Sequence, residues 1–177
     1  MPSNIEIKAR VRDPQRFRHI ASGISNGEQI LHQEDTFFNC RSGRLKLRCF
    51  PDKTGELIYY ERPDQSGPAR SRYRITRIED PQGLLLTLSS ALGTIGVVRK
   101  RRHLFLCGQT RIHLDDVEGL GTFAELEVVM RPEQSEEEAI SIANELMRTL
   151  HIEDTDLIEE AYIDLIDRQD NKKNSTG

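Results

Sequence analysis

The sequence predicts one α+β domain of about eight mostly antiparallel strands with three or four helices. Three observations lead there. Segment after segment alternates ionic and apolar residues with the two-residue period of a strand that has one face on a core. Gly, Pro, Asn and Asp punctuate these segments at short intervals, as turns do. Three stretches carry helix-start chemistry followed by apolar residues at helical spacing. At 177 residues the chain can bury a core without disulfide staples.

The first strand is Asn4-Ile5-Glu6-Ile7-Lys8-Ala9-Arg10-Val11. Asp13-Pro14 then opens a helix, because Asp caps and Pro fits the first helical position; Gly23 should end it. Residues 29–38 read as a second strand, and Arg44 to Phe50 is the cleanest alternation in the chain. Leu57 to Arg62 is a fourth strand, stopped by Pro63, and Ser71 to Ile78 a fifth. Asp80-Pro81 opens a second helix, with Gly93 as its stop. Strands at 95–107, 110–116 and 122–130 follow, the last two joined by the turn Glu118-Gly119-Leu120-Gly121. Ser135 and Glu138 form a capping box for a helix over 135–150, its first turn suited to the acidic run Glu136-Glu137-Glu138. An amphipathic piece spans roughly 156–168. The expected domain is therefore 1–168, with a disordered polar tail at 169–177.

Composition excludes several classes. No run approaches the roughly 18–20 apolar residues of a bilayer span. Met1 to Lys8 has no apolar leader, so a cytoplasmic location is expected. Cys40, Cys49 and Cys107 are too few and too scattered for a disulfide frame or zinc site. A net charge of -4 and a pI near 5.8 speak against a nucleic-acid partner. That average hides a segregation: Arg41 to Arg111 holds 15 Lys or Arg against 6 Asp or Glu, and acids dominate afterwards.

Residues two apart on a strand share a face. Glu6 and Lys8 share one, as do Lys46 and Arg48, Arg72 and Arg74, Lys100 and Arg102, Arg111, His113 and Asp115, and Glu125 and Glu127. The opposite parity is mainly apolar, as in Ile5 and Ile7, Leu45 and Leu47, or Leu126 and Val128. A single such strand simply faces water. Six strands with almost purely ionic faces suggest more, because a closed barrel would turn those faces into a charged lumen with helices covering the apolar outside. Buried Lys and Arg need an anion, and polyphosphate oxygens match guanidinium and ammonium donors. Glu125 and Glu127 suit a hard divalent cation shared with phosphate.

At these residues the chain resembles the CYTH family, also called triphosphate tunnel metalloenzymes. The resemblance runs from Ile5 to about Leu165 and rests on several motifs in order. They are Asn4-x-Glu6-x-Lys8, Gln33-Glu34-Asp35-Thr36-Phe37-Phe38, Gly43 to Arg48, Ser71-Arg72-Tyr73, Val98 to Arg102, Arg111 to Gly121, and Phe123-Ala124-Glu125-Leu126-Glu127. It implies an eight-stranded antiparallel β-barrel tunnel with a charged lumen and flanking helices, binding a triphosphate together with Mg²⁺ or Mn²⁺. By that likeness Glu125 and Glu127 hold the metal, Glu6 helps place a second, and Asp115 supports the acidic wall. Lys8, Lys46, Arg48, Arg72, Lys100, Arg102 and Arg111 grip phosphate oxygens, and Glu6, Lys8, Glu125 and Glu127 are the catalytic set.

Parity sets Arg101 outside and His113 inside, the latter as a structural hydrogen-bonding residue or a substrate contact. Tyr59, Tyr60, Phe37 and Phe38 read as packing rather than base-stacking residues. Two positions depart from the family pattern. Asn4 stands where the first motif Glu is expected, removing one negative charge, and Glu61 stands where many relatives are basic; it could pair with a lumen Arg or meet a cationic part of a substrate. The expected activity is metal-dependent hydrolysis of a triphosphate-bearing small molecule or of tripolyphosphate. A class IV-type adenylyl cyclase and a catalytically weak triphosphate-binding module stay open, as do monomer and homodimer.

Overall fold

In the computed structural model, which describes residues 1–175, eight strands close into a ring and helices cover one side and one end. The strands are β1 (Ser3–Arg10), β2 (Glu28–Phe38), β3 (Arg44–Cys49), β4 (Gly55–Glu61), β5 (Ala69–Ile78), β6 (Thr94–Cys107), β7 (Thr110–Val117) and β8 (Gly121–Val129). The helices are α1 (Pro14–Ile24), α2 (Pro81–Leu92), α3 (Glu136–Thr149) and α4 (Tyr162–Ser175), with a 3₁₀ turn at Asp154–Asp156. The order around the ring is β1-β5-β4-β3-β2-β6-β7-β8, and every pairing is antiparallel. Two meanders, β2–β5 and β6–β8, thus meet along β2–β6, and β1 closes the seam between them.

The helix starts follow local chemistry. Asp13 accepts from the Arg16 amide and Asp80 from the Gly83 amide, each at 3.0 Å, with Pro at the first helical positions. Both hydrogen bonds of the Ser135–Glu138 capping box form. Several boundaries differ from expectation: β4 and β5 each begin two residues earlier, and helix ends shift as well. Helix α1 continues one residue past Gly23, and α4 spans Tyr162–Ser175 rather than roughly 156–168. Residues 169–175 of the expected disordered tail are therefore helical, and its last two, 176–177, lie outside the described residues.

Burial explains the inverted layout. Ile5, Ile7 and Ala9 of β1, Ile112 and Leu114 of β7, and Ala124, Leu126 and Val128 of β8 point outward and are buried. They pack under Phe17 and Ala21 of α1 and Ala139, Ala143, Leu146 and Met147 of α3. Each large apolar side chain so buried contributes roughly 1.5–3 kcal/mol, which offsets an ionic interior. A second cluster seals one end of the ring. There Ala161, Tyr162, Ile163 and Leu165 meet Phe37, Val98, Val117 and Phe123. Gly96 permits this approach, since a Cβ there would sit 2.8 Å from Ile163 Cδ1.

Candidate functional site

Alternation along each strand sends its other face inward, and register brings those residues into rows. Glu6 lies opposite Glu127, which lies opposite Arg111. Lys8 lies opposite Glu125, which lies opposite His113. Gln33 faces Lys100 on β6, and Arg102 faces Asp115 on β7. The result is a lumen of about 320 Å³. Lys46 and Arg48 of β3 and Lys100 and Arg102 of β6 line it together with Glu6 of β1, Arg111 and His113 of β7, and Glu125 and Glu127 of β8.

The cations are held by buried carboxylates. Asp35 accepts from Lys46 Nζ at 2.8 Å and from Arg48 Nε and Nη2 at 2.8 and 2.9 Å. Burial alone would raise the Asp35 pKa, but Arg48 and Lys46 hold it well below the usual carboxylate range. Burial lowers Lys46 to about 8 despite Asp35. Asp115, fully buried, takes a two-pronged contact from Arg102 at 2.7 and 2.5 Å and lies 3.4 Å from Lys100. Against burial, those cations bring it down to about 2.

The acidic wall is looser. Glu125 contacts Lys8 at 3.2 Å and Arg102 at 2.6 Å, and these cations outweigh burial and hold its pKa well down. Glu127 pairs with Arg111 at 2.8 Å; burial opposes its charge, but His113 and Arg111 lower its pKa. Glu6 is the exception: burial raises its pKa, and Arg62 at 3.4 Å does not compensate. His113 is lowered, by burial first and then by Arg102. His113, Glu125 and Glu127 each present a donor atom within 4.8 Å of the others. Two carboxylates and an imidazole form a set that a divalent cation fits.

Of the residues expected from sequence, Glu6, Lys8, Lys46, Arg48, Lys100, Arg102, Arg111, Glu125 and Glu127 all line the lumen. Arg72 does not. It is exposed on the outer surface, because β5 pairs with β1 so that Ser71 meets Asn4, and Ser71, Tyr73 and Ile75 take the inward parity. Asp115 is not among the three donors; it lies behind the lumen wall as the anchor of Arg102 and Lys100. Glu61 faces outward and accepts from the Tyr59 hydroxyl at 2.7 Å, away from any lumen Arg. Arg101 is outside, 3.7 Å from Asp116.

Sequence reasoning missed Asp35, Arg44, Arg62 and the lumen aromatics Tyr60, Tyr73 and Tyr162. Arg44 and Arg62 were available from parity, being two residues from Lys46 and Tyr60 respectively. Tyr60 borders the lumen with its ring 5.6 Å from Lys46 Nζ, beyond the packing role expected of it. Tyr162 had no local signal, since only α4 docking carries it between Lys8 and Lys100, 4.3 and 5.1 Å from its ring centre. Its hydroxyl donates to Asp115 at 3.1 Å.

The model of the CYTH domain matches residues 3–162. The chain belongs to the CYTH family. A Methanocaldococcus jannaschii protein named as a candidate adenylate cyclase is 26% identical over 172 residues, covering 91% of this chain and 97% of that one. A solved Pyrococcus horikoshii structure superposes with a TM-score of 0.81 at 25% identity, covering 92% of this chain and 98% of that one. A Hippeastrum CYTH-like structure shares the fold, with a TM-score of 0.60 at 16% identity over 89% of this chain and 91% of that one. That Hippeastrum protein is named as a candidate adenylyl cyclase with a dominant triphosphatase activity. No helix among the described residues of this chain is long and apolar enough to cross a membrane.

Proposed function

We propose that this CYTH protein is a divalent-metal-dependent phosphohydrolase acting on a triphosphate-bearing small molecule or on tripolyphosphate. The observation that carries the reading is one lumen lined by Lys46, Arg48, Lys100 and Arg102 together with the Glu125–Glu127 pair. Lys46, Arg48, Lys100 and Arg102 donate to phosphate oxygens, and Asp35 and Asp115 aim them before substrate arrives. That preorganisation matters, because donors fixed in a water-poor site stabilise charge on a phosphoryl group without having to reorient. Lys8 reaches the same space from β1, paired with Glu125 until an anion takes its place. Glu125 and Glu127 would hold Mg²⁺ or Mn²⁺, which supplies charge neutralisation at the phosphates and acidifies water. Glu6, opposite Glu127 in register, extends that acidic wall; Asn4 beside it offers a buried amide oxygen with no hydrogen-bond partner.

A second reading, adenylyl cyclase, is favoured by the name of the Methanocaldococcus relative. The same clamp would serve, with the ribose 3′-hydroxyl attacking the α-phosphorus and pyrophosphate leaving, instead of water attacking the terminal phosphorus. Phosphate release with Mg²⁺ and Mn²⁺ should be measured across tripolyphosphate, thiamine triphosphate, ATP and GTP, with cyclic nucleotides assayed in parallel. Metal-dependent phosphate release supports the hydrolase. Cyclic AMP with pyrophosphate instead would transfer the assignment to cyclase, and tight binding without turnover would leave only a binding module.

A further inference from the structure

We infer that His113 is a metal ligand, so that the ion in this lumen is held by an imidazole nitrogen as well as by Glu125 and Glu127. The inference rests on the reading that those two glutamates bind the ion. His113 is 3% exposed and projects into the lumen from β7, between the two carboxylates. Its Nδ1 is buried and has no hydrogen-bond partner. That atom lies 3.6 Å from Glu125 Oε2 and 3.9 Å from Glu127 Oε1, too far to donate to either. A buried nitrogen with no partner is costly unless something else engages it.

An ion between these atoms does so. With donors about 2.1 Å from the ion in an octahedral site, adjacent donors lie about 3.0 Å apart and opposite ones about 4.2 Å. The observed 3.6 and 3.9 Å lie between those two values, so the pairs reach octahedral spacings with side-chain shifts of about 0.6 and 0.3 Å. Glu125 Oε2 already accepts from Arg102, but a carboxylate oxygen has a second lone pair to offer. The nitrogen also changes the metal chosen. Mg²⁺ takes oxygen donors almost exclusively, whereas first-row transition ions accept imidazole readily. The site should therefore favour Mn²⁺ or Co²⁺ over Mg²⁺ by more than a carboxylate pair alone would.

Electron spin-echo modulation of Mn²⁺ bound to the full chain, with tripolyphosphate present, tests this without any turnover. The expected result is nitrogen coupling that changes when the protein carries ¹⁵N-histidine. His113→Asn should abolish the coupling and weaken Mn²⁺ roughly 10–100-fold, at least the loss seen on removing an outer partner of a metal ligand, with a smaller loss for Mg²⁺. The wild-type spectrum decides the matter even where the variant folds poorly. Stoichiometric Mn²⁺ without nitrogen coupling would overturn the His113 assignment and leave the Glu125–Glu127 site standing. Absence of Mn²⁺ binding with and without tripolyphosphate would overturn both.

Discussion

Asp35 on β2 and Arg48 on β3 form a two-pronged contact inside the barrel, Nε and Nη2 of the guanidinium lying 2.8 and 2.9 Å from the two carboxylate oxygens. Lys46 adds a third donor at 2.8 Å. One carboxylate therefore holds two cations that would otherwise repel each other in a largely buried space.

Removing that carboxylate should destabilise the empty protein and do so in a way an anion can repair. Asp35→Asn leaves Lys46 and Arg48 buried without a counter-charge, a loss of about 3 kcal/mol by the usual cost of breaking a buried pair. Tripolyphosphate should restore much of that loss, raising the melting temperature of Asp35→Asn more than that of the parent. Thermal unfolding with and without tripolyphosphate measures it, and equal shifts in the two proteins would remove Asp35 from this role.

Lys46 gives two opposite responses to alkali. Its folded pKa is about 8 against an ordinary value of 10.5, so between those pH values the unfolded chain keeps a proton that the folded chain has shed. The empty protein should gain stability over that window as pH rises. Triphosphate binding needs the ammonium, and affinity should fall by up to about tenfold per pH unit above 8. Calorimetric titration at pH 7.5 and 9.5 beside denaturant melts separates the two trends.

Acid should act through Asp115. Its pKa is depressed from 3.8 to about 2, so its contribution is present above pH 3.8 and disappears as pH falls toward 2. The amount is roughly 2 kcal/mol. Asp115→Asn should flatten that part of the acid unfolding curve. An unchanged curve would mean that Arg102 does not stabilise the charged form.

Arg62 and Arg72 should behave oppositely. Arg62 donates through Nη1 to the Glu159 carbonyl at 3.0 Å, and its buried Nε and Nη2 have no hydrogen-bond partner. Its side chain, 4% exposed, borders the lumen. Arg62→Ala should weaken tripolyphosphate by roughly 10–100-fold, the loss of a charge-assisted contact worth about 1.5–3 kcal/mol. Arg72→Ala, on the outer surface, should change affinity by less than about twofold, within the few tenths of a kcal/mol typical of surface changes. Titration of both variants checks the pair.

The limits of the sequence are visible in these same two residues. Strand alternation identified β1, β3, β7 and β8 and the inward parity of each, because their ionic and apolar residues largely segregate. On β6, with Arg99 and Arg101 outside, Lys100 and Arg102 were assigned inward although both parities are basic. It failed on β5, where Arg72 and Arg74 take the outside and Tyr73 and Ile75 the inside. Nothing local decides that choice; the Asn4–Ser71 pairing with β1 does. Asp35 lay within a family-like motif, but its partners Lys46 and Arg48 emerge only when β2 and β3 register. Asp115 shares parity with His113, yet its contacts with Arg102 and Tyr162 hold it behind the wall. Periodicity reports a face, and register reports who shares it.

The most direct measurement is phosphate release by the wild-type protein and by Glu127→Gln, each with and without Mn²⁺ or Mg²⁺, on the best substrate of the triphosphate screen. The wild type should turn over only with metal. Glu127→Gln should keep its melting profile and lose activity by a hundredfold or more, beyond the roughly 10–100-fold effect of losing an outer-shell partner. Undiminished metal-dependent turnover in a folded Glu127→Gln would contradict the assignment of this wall as the metal-holding side of a triphosphatase.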